Sequence, residues 1–247
     1  ANLESEWYSY ANKNWANSVI LDDQYDTLNS EGKVVGATKE EGYVSFDGID
    51  DYINLGLENY DFSNGISISL IFSLQSIGEE NIDVIGNWEN SGVGISVISN
   101  RELRASVYDS NNKSYVTSYT GINLDFNKYY SVTLRLKSNT FEIYVDGNLA
   151  SSATVSSSYV ISRVPIFVGA NPQSDGIHTK FSNIDVKQVQ IYNRALEEEE
   201  IKKISTGIVV NNEGLLRYVD FTNKSYEDNE IIPEEKIESY FVWIPKY

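Results

Sequence analysis

Two runs of alternating apolar and polar residues, separated by an acidic turn, occupy residues 43–56 of this chain. Apolar side chains stand at every second position before the turn (Val44, Phe46) and after it (Ile53, Leu55). Alternation with a period of two is typical of strands that are buried on one face, and the Asp-Gly pair between the runs is a strong turn signal. This segment predicts two strands joined by a short connection.

The same alternation recurs along the chain between turns that are rich in Gly, Asn, Ser and Asp. In residues 66–74, Ile, Leu and Phe occupy alternate positions and serine occupies most of the others. Further predicted strands are residues 93–98, 103–108, 130–136, 141–145, 184–191 and 215–221. Many short strands separated by turns predict an all-β fold, an antiparallel β-sandwich.

The predicted strand at residues 184–191 breaks its own alternation. Its apolar positions change phase between Val186 and Val189. One extra residue in a strand, a β-bulge, restores the phase, and Lys187 and Gln188 are the candidates for it.

One short helix is predicted near residues 195–205. Leu196, Ile201 and Ile204 can share one face of a helix. The run of glutamates stands near the N-terminus of this helix and two lysines stand toward its C-terminus, which is the favourable order for the helix dipole. We interpret the charged side of the helix as a solvated face.

Composition narrows the possible classes of function. The chain has 247 residues, of which 41% are hydrophobic, so it can bury a large core. Its formal net charge of −17 argues against nucleic-acid and anionic-lipid partners, and no apolar run is long enough to span a membrane.

Two residue types are missing from the chain, cysteine and methionine. Without cysteine there are no disulfide bonds and no thiol chemistry. Without methionine the chain lacks an initiator, which predicts a fragment or a mature product.

Three motifs stand in the order and spacing of a known family. The acidic-turn segment at residues 43–56 is followed by Phe-Glu-Ile-Tyr-Val-Asp-Gly-Asn-Leu at residues 141–149 and by Val-Gln-Ile-Tyr-Asn-Arg-Ala-Leu at residues 189–196. Together they resemble the laminin-G-like, concanavalin A-like modules of secreted and surface proteins. The resemblance covers residues 1–206 and implies an antiparallel jelly-roll β-sandwich.

Residues 207–247 are expected to form a C-terminal extension of that domain, or the start of a further module. The extension contains the predicted strand 215–221, an acidic stretch that resembles a loop, and an apolar end at residues 240–247. We expect such an apolar end to dock against the protein, or to open a module that continues in the parent protein.

The sequence predicts no catalytic site. Retaining glucanases on this type of scaffold need two carboxylates about 5 Å apart, which one strand face can provide. No predicted strand has that spacing, and residues 81–84 supply one carboxylate only. The only histidine, His178, lies in a predicted loop, and no cysteine or second histidine is present to complete a zinc site. We therefore expect that the protein is not an enzyme.

Three aspartates in the acidic turn are candidate metal ligands: Asp47, Asp50 and Asp51. Ca²⁺ prefers oxygen ligands such as carboxylates, and the family resemblance implies calcium at the rim or edge of these sandwiches. Aspartate is also a preferred turn residue because of its own hydrogen bonding to the backbone. A calcium site and a purely structural turn are therefore both open at this point.

The chain also has the residue types that suit sugar binding. Flat aromatic faces stack on the C–H surface of a pyranose, while amides and hydroxyls pair with its hydroxyl groups. The candidate ligand-binding residues are those of predicted loops and outward faces near the middle of the chain: Trp88, Tyr108, Asn111, Tyr115 and Asn171. Packing within the protein is the alternative role for each aromatic residue.

These features predict a non-catalytic carbohydrate- or ligand-binding module, with a role in adhesion. It would belong to a bacterial extracellular or cell-surface protein, or to a virion if the chain is phage-derived. Its partners would be a glycan or a protein ligand, and the remainder of a larger polypeptide. The alternative is a structural spacer or decoration module in a pilus, phage tail or cell-wall assembly, without a small ligand of its own.

Overall fold

Two antiparallel β-sheets, packed face to face, make up most of the structure. The computed structural model describes residues 18–21, 33–62, 64–156, 162–210, 213–222 and 237–241 of the chain. All pairings between named strands in these ranges are antiparallel. The prediction of an all-β, antiparallel jelly-roll sandwich is confirmed.

The described strands, in chain order, are β1 (Ser18–Leu21), β2 (Lys33–Val35), β3 (Thr38–Glu40), β4 (Tyr43–Ser45), β5 (Tyr52–Asn54), β6 (Ile66–Leu74), β7 (Ile82–Gly86), β8 (Val93–Val97), β9 (Glu102–Asp109), β10 (Ser114–Asn123), β11 (Tyr129–Lys137), β12 (Thr140–Val145), β13 (Asn148–Thr154), β14 (Phe167–Val168), β15 (Ile184–Tyr192), β16 (Leu215–Asp220) and β17 (Ile237–Phe241). The described part of the chain contains one helix, α1 (Glu198–Ile204), between β15 and β16. This helix is too short to cross a lipid bilayer.

The front sheet has seven strands in the order β10-β9-β8-β7-β14-β5-β2. The back sheet has the order β13-β12-β11-β6-β15-β4-β3, and β16 joins it by pairing with β15. β4 pairs with β15 at Asp185 and Val186, whereas β16 pairs with Gln188–Tyr192 farther along the same strand. β4 and β16 therefore follow one another along β15.

The hydrophobic core lies between the two sheets. β6 lies at the centre of the back sheet, and its alternating residues Ile68, Leu70 and Phe72 are buried in the core, as the sequence pattern predicts. Ser69 occupies the other face of the same strand, where its hydroxyl bonds that of Thr133 on β11 at 2.9 Å. The period-two pattern therefore separates an apolar inner face from a hydroxyl-lined outer one.

The predicted β-bulge is present in β15. Its register against β6 shifts between Val186 and Gln188, so that Lys187 is the extra residue. Val189 is then returned to the core opposite Leu70. The bulge allows one strand to keep its apolar residues inside although their spacing in the sequence changes phase.

The predicted helix is also present, as α1. Ile201 and Ile204 are fully buried, together with Leu196 before the helix. They form a second, smaller cluster with residues such as Tyr144 and Tyr192, beside the back sheet. Glutamates occupy the first turn of the helix and lysines the last, as expected from its dipole.

The region after residue 206 also contributes strands. β16 hydrogen-bonds to β15 of the back sheet, and β17 pairs with β1 to form a separate two-stranded sheet. The domain boundary after residue 206 stays a prediction. The apolar end at residues 240–247 lies mostly outside the described residues, because these stop at Phe241.

Candidate functional site

The face of the front sheet that is turned away from the core, here called the outer face, carries polar and aromatic side chains. In β9, Leu103 and Ala105 are buried in the core, so Arg104 and Ser106 point to the other side. Cross-strand pairing continues this alternation on the neighbouring strands. The outer face is formed by Asp83, Gly86, Gly94, Ser96, Arg104, Ser106, Tyr108, Tyr115, Thr117 and Tyr119.

Small residues form the middle of the outer face, and Trp88 lies over them. Gly86 pairs with Gly94, which pairs with Ser106. A Cβ atom at Gly94 would stand 2.5 Å from Cζ2 of Trp88 and one at Gly86 would stand 3.4 Å from its Cδ2. Glycine is therefore required at Gly94, because any side chain there would displace the indole. Trp88 itself is partly exposed.

Two tyrosines share the outer face with this indole. Tyr108 and Tyr115 are cross-strand partners, and their rings meet edge to face with centroids 5.2 Å apart. The Tyr115 hydroxyl donates to the carbonyl of Ser91 at 2.9 Å, which ties the hairpin to the loop that carries Trp88. Burial is the main cause that raises the pKa of Tyr115 to about 12. This tyrosine is therefore a neutral donor at physiological pH.

Arg104 and Tyr119 form the opposite side of the outer face. The guanidinium donates from Nε to Ser96 Oγ at 2.9 Å and from Nη1 to the Tyr119 hydroxyl at 3.3 Å. It also lies 5.8 Å from the centre of the Tyr119 ring. Tyr119 is half exposed, so this side offers both a cation and an aromatic face to solvent.

Asp83 places a buried carboxyl group on the same face. It pairs with Ser96 across β7 and β8 and is only 2% exposed. Burial raises the pKa of Asp83 to about 7, although the positive charges of Lys180 and Arg104 partly oppose this rise. Near neutral pH the carboxyl group can therefore hold or release a proton.

Two loops are joined above the outer face. Glu89 Oε1, in the loop after β7, accepts hydrogen bonds from the backbone N–H and the hydroxyl of Ser174 at 3.2 and 2.6 Å. In the second loop, Asn171 pairs with Thr179 through two backbone hydrogen bonds, and the N–H of Asp83 donates to the carbonyl of Lys180 at 3.1 Å. The second loop is thus tied to β7 as well as to the first loop.

His178 fixes the second loop to the front sheet by packing. Its ring stands edge-on to Phe167 and Tyr52, with centroids 4.7 and 5.0 Å away. Its Nδ1 accepts a hydrogen bond from the N–H of Gln173 at 3.3 Å. Burial lowers the pKa of His178, against the opposing charge of Asp175. The lowered pKa favours a neutral imidazole, and only a neutral imidazole has a ring nitrogen that can accept the hydrogen bond from Gln173.

The outer face and its loops hold most of the unpaired polar atoms of the described residues. In the described residues, five buried side-chain atoms have no hydrogen-bond partner, and four of them lie on this face or in its loops: Asp83 Oδ2, Trp88 Nε1, Glu89 Oε2 and Asn171 Oδ1. The fifth is the hydroxyl of Ser131, in the back sheet. Buried polar atoms in proteins are rarely left unpaired, so this concentration marks a place with unused hydrogen-bonding capacity.

Most of the candidate ligand-binding residues come together on this side of the molecule. Trp88, Tyr108 and Tyr115 share the outer face, and Asn171 lies in the loop joined to that of Trp88. Asn111 lies at the exposed tip of the hairpin between β9 and β10. Their role in ligand binding stays a prediction.

Asp109 explains the shape of that hairpin tip. Its buried carboxylate accepts hydrogen bonds from Asn111, Asn112 and Ser156. Burial alone would raise the pKa of Asp109, but these hydrogen bonds outweigh it and lower the pKa to about 2. Asp109 therefore acts as a structural acceptor that joins the hairpin to the segment after β13.

The three candidate metal ligands lie close together in the connection between β4 and β5. Asp47, Asp50 and Asp51 each offer an oxygen within 4.8 Å of the others. Asp51 also accepts a hydrogen bond from the N–H of Asp47 at 2.9 Å, and Asp47 accepts one from Ile49 at 2.7 Å. Burial, followed by the charges of Asp47 and Asp50, raises the pKa of Asp51. These contacts fit both a structural turn and a cation site, so the calcium site stays a prediction.

A separate cleft of about 570 Å³ lies between the end of β5 and β16. Arg217 lines it and donates from Nε to the carbonyl of Leu55 at 2.8 Å and from Nη1 to that of Leu216 at 2.6 Å. Burial lowers the pKa of Arg217. None of the candidate ligand-binding residues lines this cleft. We place the candidate site on the outer face instead, where the aromatic side chains and the unpaired polar atoms coincide.

Sequence reasoning missed three residues of the outer face: Asp83, Arg104 and Tyr119. A signal existed for Asp83, because one carboxylate interrupts an otherwise apolar strand at residues 82–85. Arg104 and Tyr119 each stand in the outward phase of their strands, but they are 15 residues apart in sequence and meet only through strand pairing. The loop partner Glu89 likewise could not be found from sequence spacing.

Comparison with known proteins agrees with the observed fold. The sequence model of the Concanavalin A-like lectin/glucanases superfamily matches residues 47–202 of the chain. No curated protein sequence matches the chain significantly.

Two solved structures illustrate the likeness in three dimensions. The receptor binding domain of a botulinum neurotoxin of C/D mosaic serotype is 16% identical, with a TM-score of 0.60, over 80% of this chain and 50% of that one. A Trypanosoma rangeli sialidase in complex with sialic acid is 23% identical, with a TM-score of 0.55, over 69% of this chain and 28% of that one. The match therefore spans half or less of either structure's length, and at such identities it shows the fold alone.

The expectation that the protein is not an enzyme is contradicted, since sialidases are among the proteins that share its fold. No single predicted strand carries two suitably spaced carboxylates. A sandwich, however, brings residues of different strands together, as it does with Asp83 on β7 and Arg104 on β9. The lack of a single-strand motif is therefore no ground for excluding catalysis.

The family model covers well over half of the chain, and the structure has the fold that the family name describes. The chain belongs to the Concanavalin A-like lectin/glucanases superfamily.

Proposed function

We propose that the protein binds a glycan on the outer face of its front sheet. The observation that carries the proposal is the coincidence of aromatic side chains with unpaired polar atoms: Trp88, Tyr108 and Tyr115 share the outer face, and Asp83, Glu89 and Asn171 contribute unpaired oxygens. Aromatic rings can stack on the apolar face of a sugar ring while polar atoms pair with its hydroxyl groups. Both kinds of contact are available here within one region.

The family and its relatives support this proposal. Lectins are part of the family's name, and one protein of similar fold is a receptor-binding domain. Lectin-like domains of the laminin-G type are typically extracellular. We propose that the protein is extracellular or lies at a cell surface, and that it is a recognition module of a larger polypeptide.

A glycan array tests the proposal, with two variants beside the wild type. Trp88→Ala is expected to weaken binding about tenfold or more, because one stacking contact is worth about 1–3 kcal/mol by analogy with other aromatic stacking sites. Phe126→Ala is the matched control, since Phe126 is also an exposed aromatic residue and lies outside the outer face. Its binding is expected to equal that of the wild type.

Two results would contradict the proposal: no retention of any glycan on the array, or equal binding by the Trp88→Ala variant and the wild type. Melting curves of both variants show whether lost binding reflects lost folding. An assay of sugar release from the glycans that bind determines whether they are also cleaved, which the fold leaves open.

A further inference from the structure

We infer that the outer face accepts a neutral, hydroxyl-rich glycan in preference to a sulfated or carboxylated one. The inference rests on the proposed function and adds the chemical class of the ligand. It follows from the kinds of polar atom that are unpaired on this face and from the balance of charge around them.

The unpaired atoms are mostly acceptors. Glu89 Oε2 and Asn171 Oδ1 can each accept a hydrogen bond, as can Asp83 Oδ2 when its carboxyl group is ionised above about pH 7, whereas Trp88 Nε1 can only donate one. A sugar hydroxyl both donates and accepts, so a hydroxyl-rich ligand can satisfy all four. A sulfate or carboxylate group only accepts, and would leave acceptor facing acceptor at three of the four positions.

The charges of this face leave no surplus that would favour an anion. Arg104 and Lys180 are the cations that act on Asp83, and above about pH 7, where Asp83 is ionised, they are matched by the carboxylates of Asp83 and Glu89. Arg104 is in addition engaged by Ser96 and Tyr119. Asp175 adds a further carboxylate on the loop of His178, and the whole chain carries a net charge of −17. An acidic glycan would meet repulsion both locally and at long range.

Access to the four atoms requires a movement of the loops. None of the four touches solvent, and the two loops that carry Trp88, Glu89 and Asn171 are joined by the hydrogen bonds between Glu89 and Ser174. Ser174 is exposed, so water can replace its contact when the loops part. We therefore expect ligand hydroxyls to enter when these two hydrogen bonds open.

Affinity electrophoresis in gels that contain matched soluble polysaccharides tests the inference. The pairs are dextran with dextran sulfate, hydroxyethylcellulose with carboxymethylcellulose, and galactan with polygalacturonate. At least one neutral polymer is expected to retard the protein, and its charged counterpart to bind about tenfold more weakly or worse. The preference is expected to persist at about 0.5 M NaCl, where long-range repulsion is screened.

Two variants separate recognition from general repulsion. Both variants are compared with the wild type at about pH 8.5, where Asp83 is ionised. Asp83→Asn and Glu89→Gln then replace an acceptor-only carboxylate by an amide that can donate, so the ratio of binding to the neutral polymer over binding to the charged one is expected to fall about tenfold in each. Asp125→Asn removes the same charge from an exposed ion pair with Lys128, and its ratio is expected to stay that of the wild type. Glu89→Gln alone suffices if the Asp83 variant does not fold.

The outcomes distinguish this inference from the proposed function. Equal or tighter binding of a charged polymer overturns the preference for neutral glycans, and a ratio that neither variant changes overturns its assignment to the acceptors of this face. Both results leave glycan binding in place. If neither the polymers nor the glycan array is bound, both the proposed function and this inference fail.

Discussion

At the scale of single residues, Asp83 shows how the fold creates a chemical group that the sequence alone does not reveal. Its carboxyl group is almost fully buried, and one of its oxygens has no hydrogen-bond partner. Burial favours the neutral acid, which is why its pKa rises to about 7 although Lys180 and Arg104 oppose the change. The result is a titratable group in the physiological range on the proposed binding face.

This raised pKa predicts a pH dependence of stability. A group whose pKa is higher in the folded state than in the unfolded state stabilises the fold fully below its unfolded pKa, near 4, and loses that contribution as the pH rises through 7. Between about pH 4 and pH 8, the unfolding free energy of the wild type is expected to fall by up to about 4 kcal/mol relative to Asp83→Asn. Urea denaturation of both proteins across this range measures the difference.

The control for this prediction is Asp125→Asn, since Asp125 is exposed beside Lys128. Its difference in unfolding free energy from the wild type is expected to change little over the same pH range. A difference between wild type and Asp83→Asn that is constant with pH would show that Asp83 is not titrating there.

Gly94 carries a second prediction at the residue scale. A Cβ atom at Gly94 would lie 2.5 Å from Trp88 and 2.6 Å from the carbonyl oxygen of Ile85, so Gly94→Ala must displace the indole or the strand. We expect a loss of about 1–3 kcal/mol in unfolding free energy, together with weaker glycan binding. Thermal melting and the glycan array measure the two effects.

Gly78→Ala is the matched control, because a Cβ atom there meets nothing within 4 Å. Its stability is expected to stay within about 0.5 kcal/mol of the wild type, with unchanged binding. Equal behaviour of the two alanine variants would mean that Trp88 does not rest on Gly94.

At the scale of elements, β15 shows how far sequence pattern predicts local structure. The phase change of its apolar residues predicted a bulge, and the structure places it at Lys187. The prediction from the sequence pattern was correct here because the inward positions of the strand must be apolar: Val186 and Val189 are both fully buried in the core. Strands and the short helix could be predicted wherever one face is buried in this way.

The bulge predicts opposite outcomes for two single-residue deletions in β15. Deleting Lys187 removes the extra residue and leaves Val186 and Val189 facing the core, so the protein is expected to fold. Deleting Gln190 shifts the phase and turns Ile191 away from the core, at a cost of about 4 kcal/mol or more. Circular dichroism and soluble yield of the two variants test this difference. Retained folding of the Gln190 deletion would contradict the assigned register.

The candidate site could be predicted only in part, for a physical reason. Trp88, Tyr108 and Tyr115 are aromatic residues in loops or outward positions, and this is visible in the sequence. The electrostatic effect of Arg104 on Asp83 and the hydrogen bonds between Glu89 and Ser174 depend on which strands and loops lie side by side. Which strands and loops are neighbours is determined by the tertiary topology, and no periodic pattern in the sequence indicates it.

At the scale of the whole molecule, the acidic turn links the two sheets, since it connects β4 of the back sheet to β5 of the front sheet. A cation bound by Asp47, Asp50 and Asp51 would relieve the repulsion between carboxylates that lie within 4.8 Å of one another. If the turn binds calcium, about 5 mM Ca²⁺ is expected to raise the melting temperature over that in chelator. The unfolding free energy would rise by about 2.7 kcal/mol when the free Ca²⁺ concentration is a hundred times the Kd.

The variant Asp51→Asn is expected to abolish this calcium effect, whereas Asp125→Asn is expected to retain it. No difference in melting between Ca²⁺ and chelator would leave the turn with a structural role only, in which Asp51 accepts the hydrogen bond from Asp47.

The whole account depends on the outer face of the front sheet as the place where a glycan binds. Titration of ¹⁵N-labelled protein with the glycan that binds best on the array tests this location directly. We predict that the largest chemical-shift changes affect the Trp88 indole N–H and the backbone amides of residues 83–96 and 104–119. Changes confined to residues 47–51, or to the cleft lined by Tyr60 and Arg217, would contradict the account.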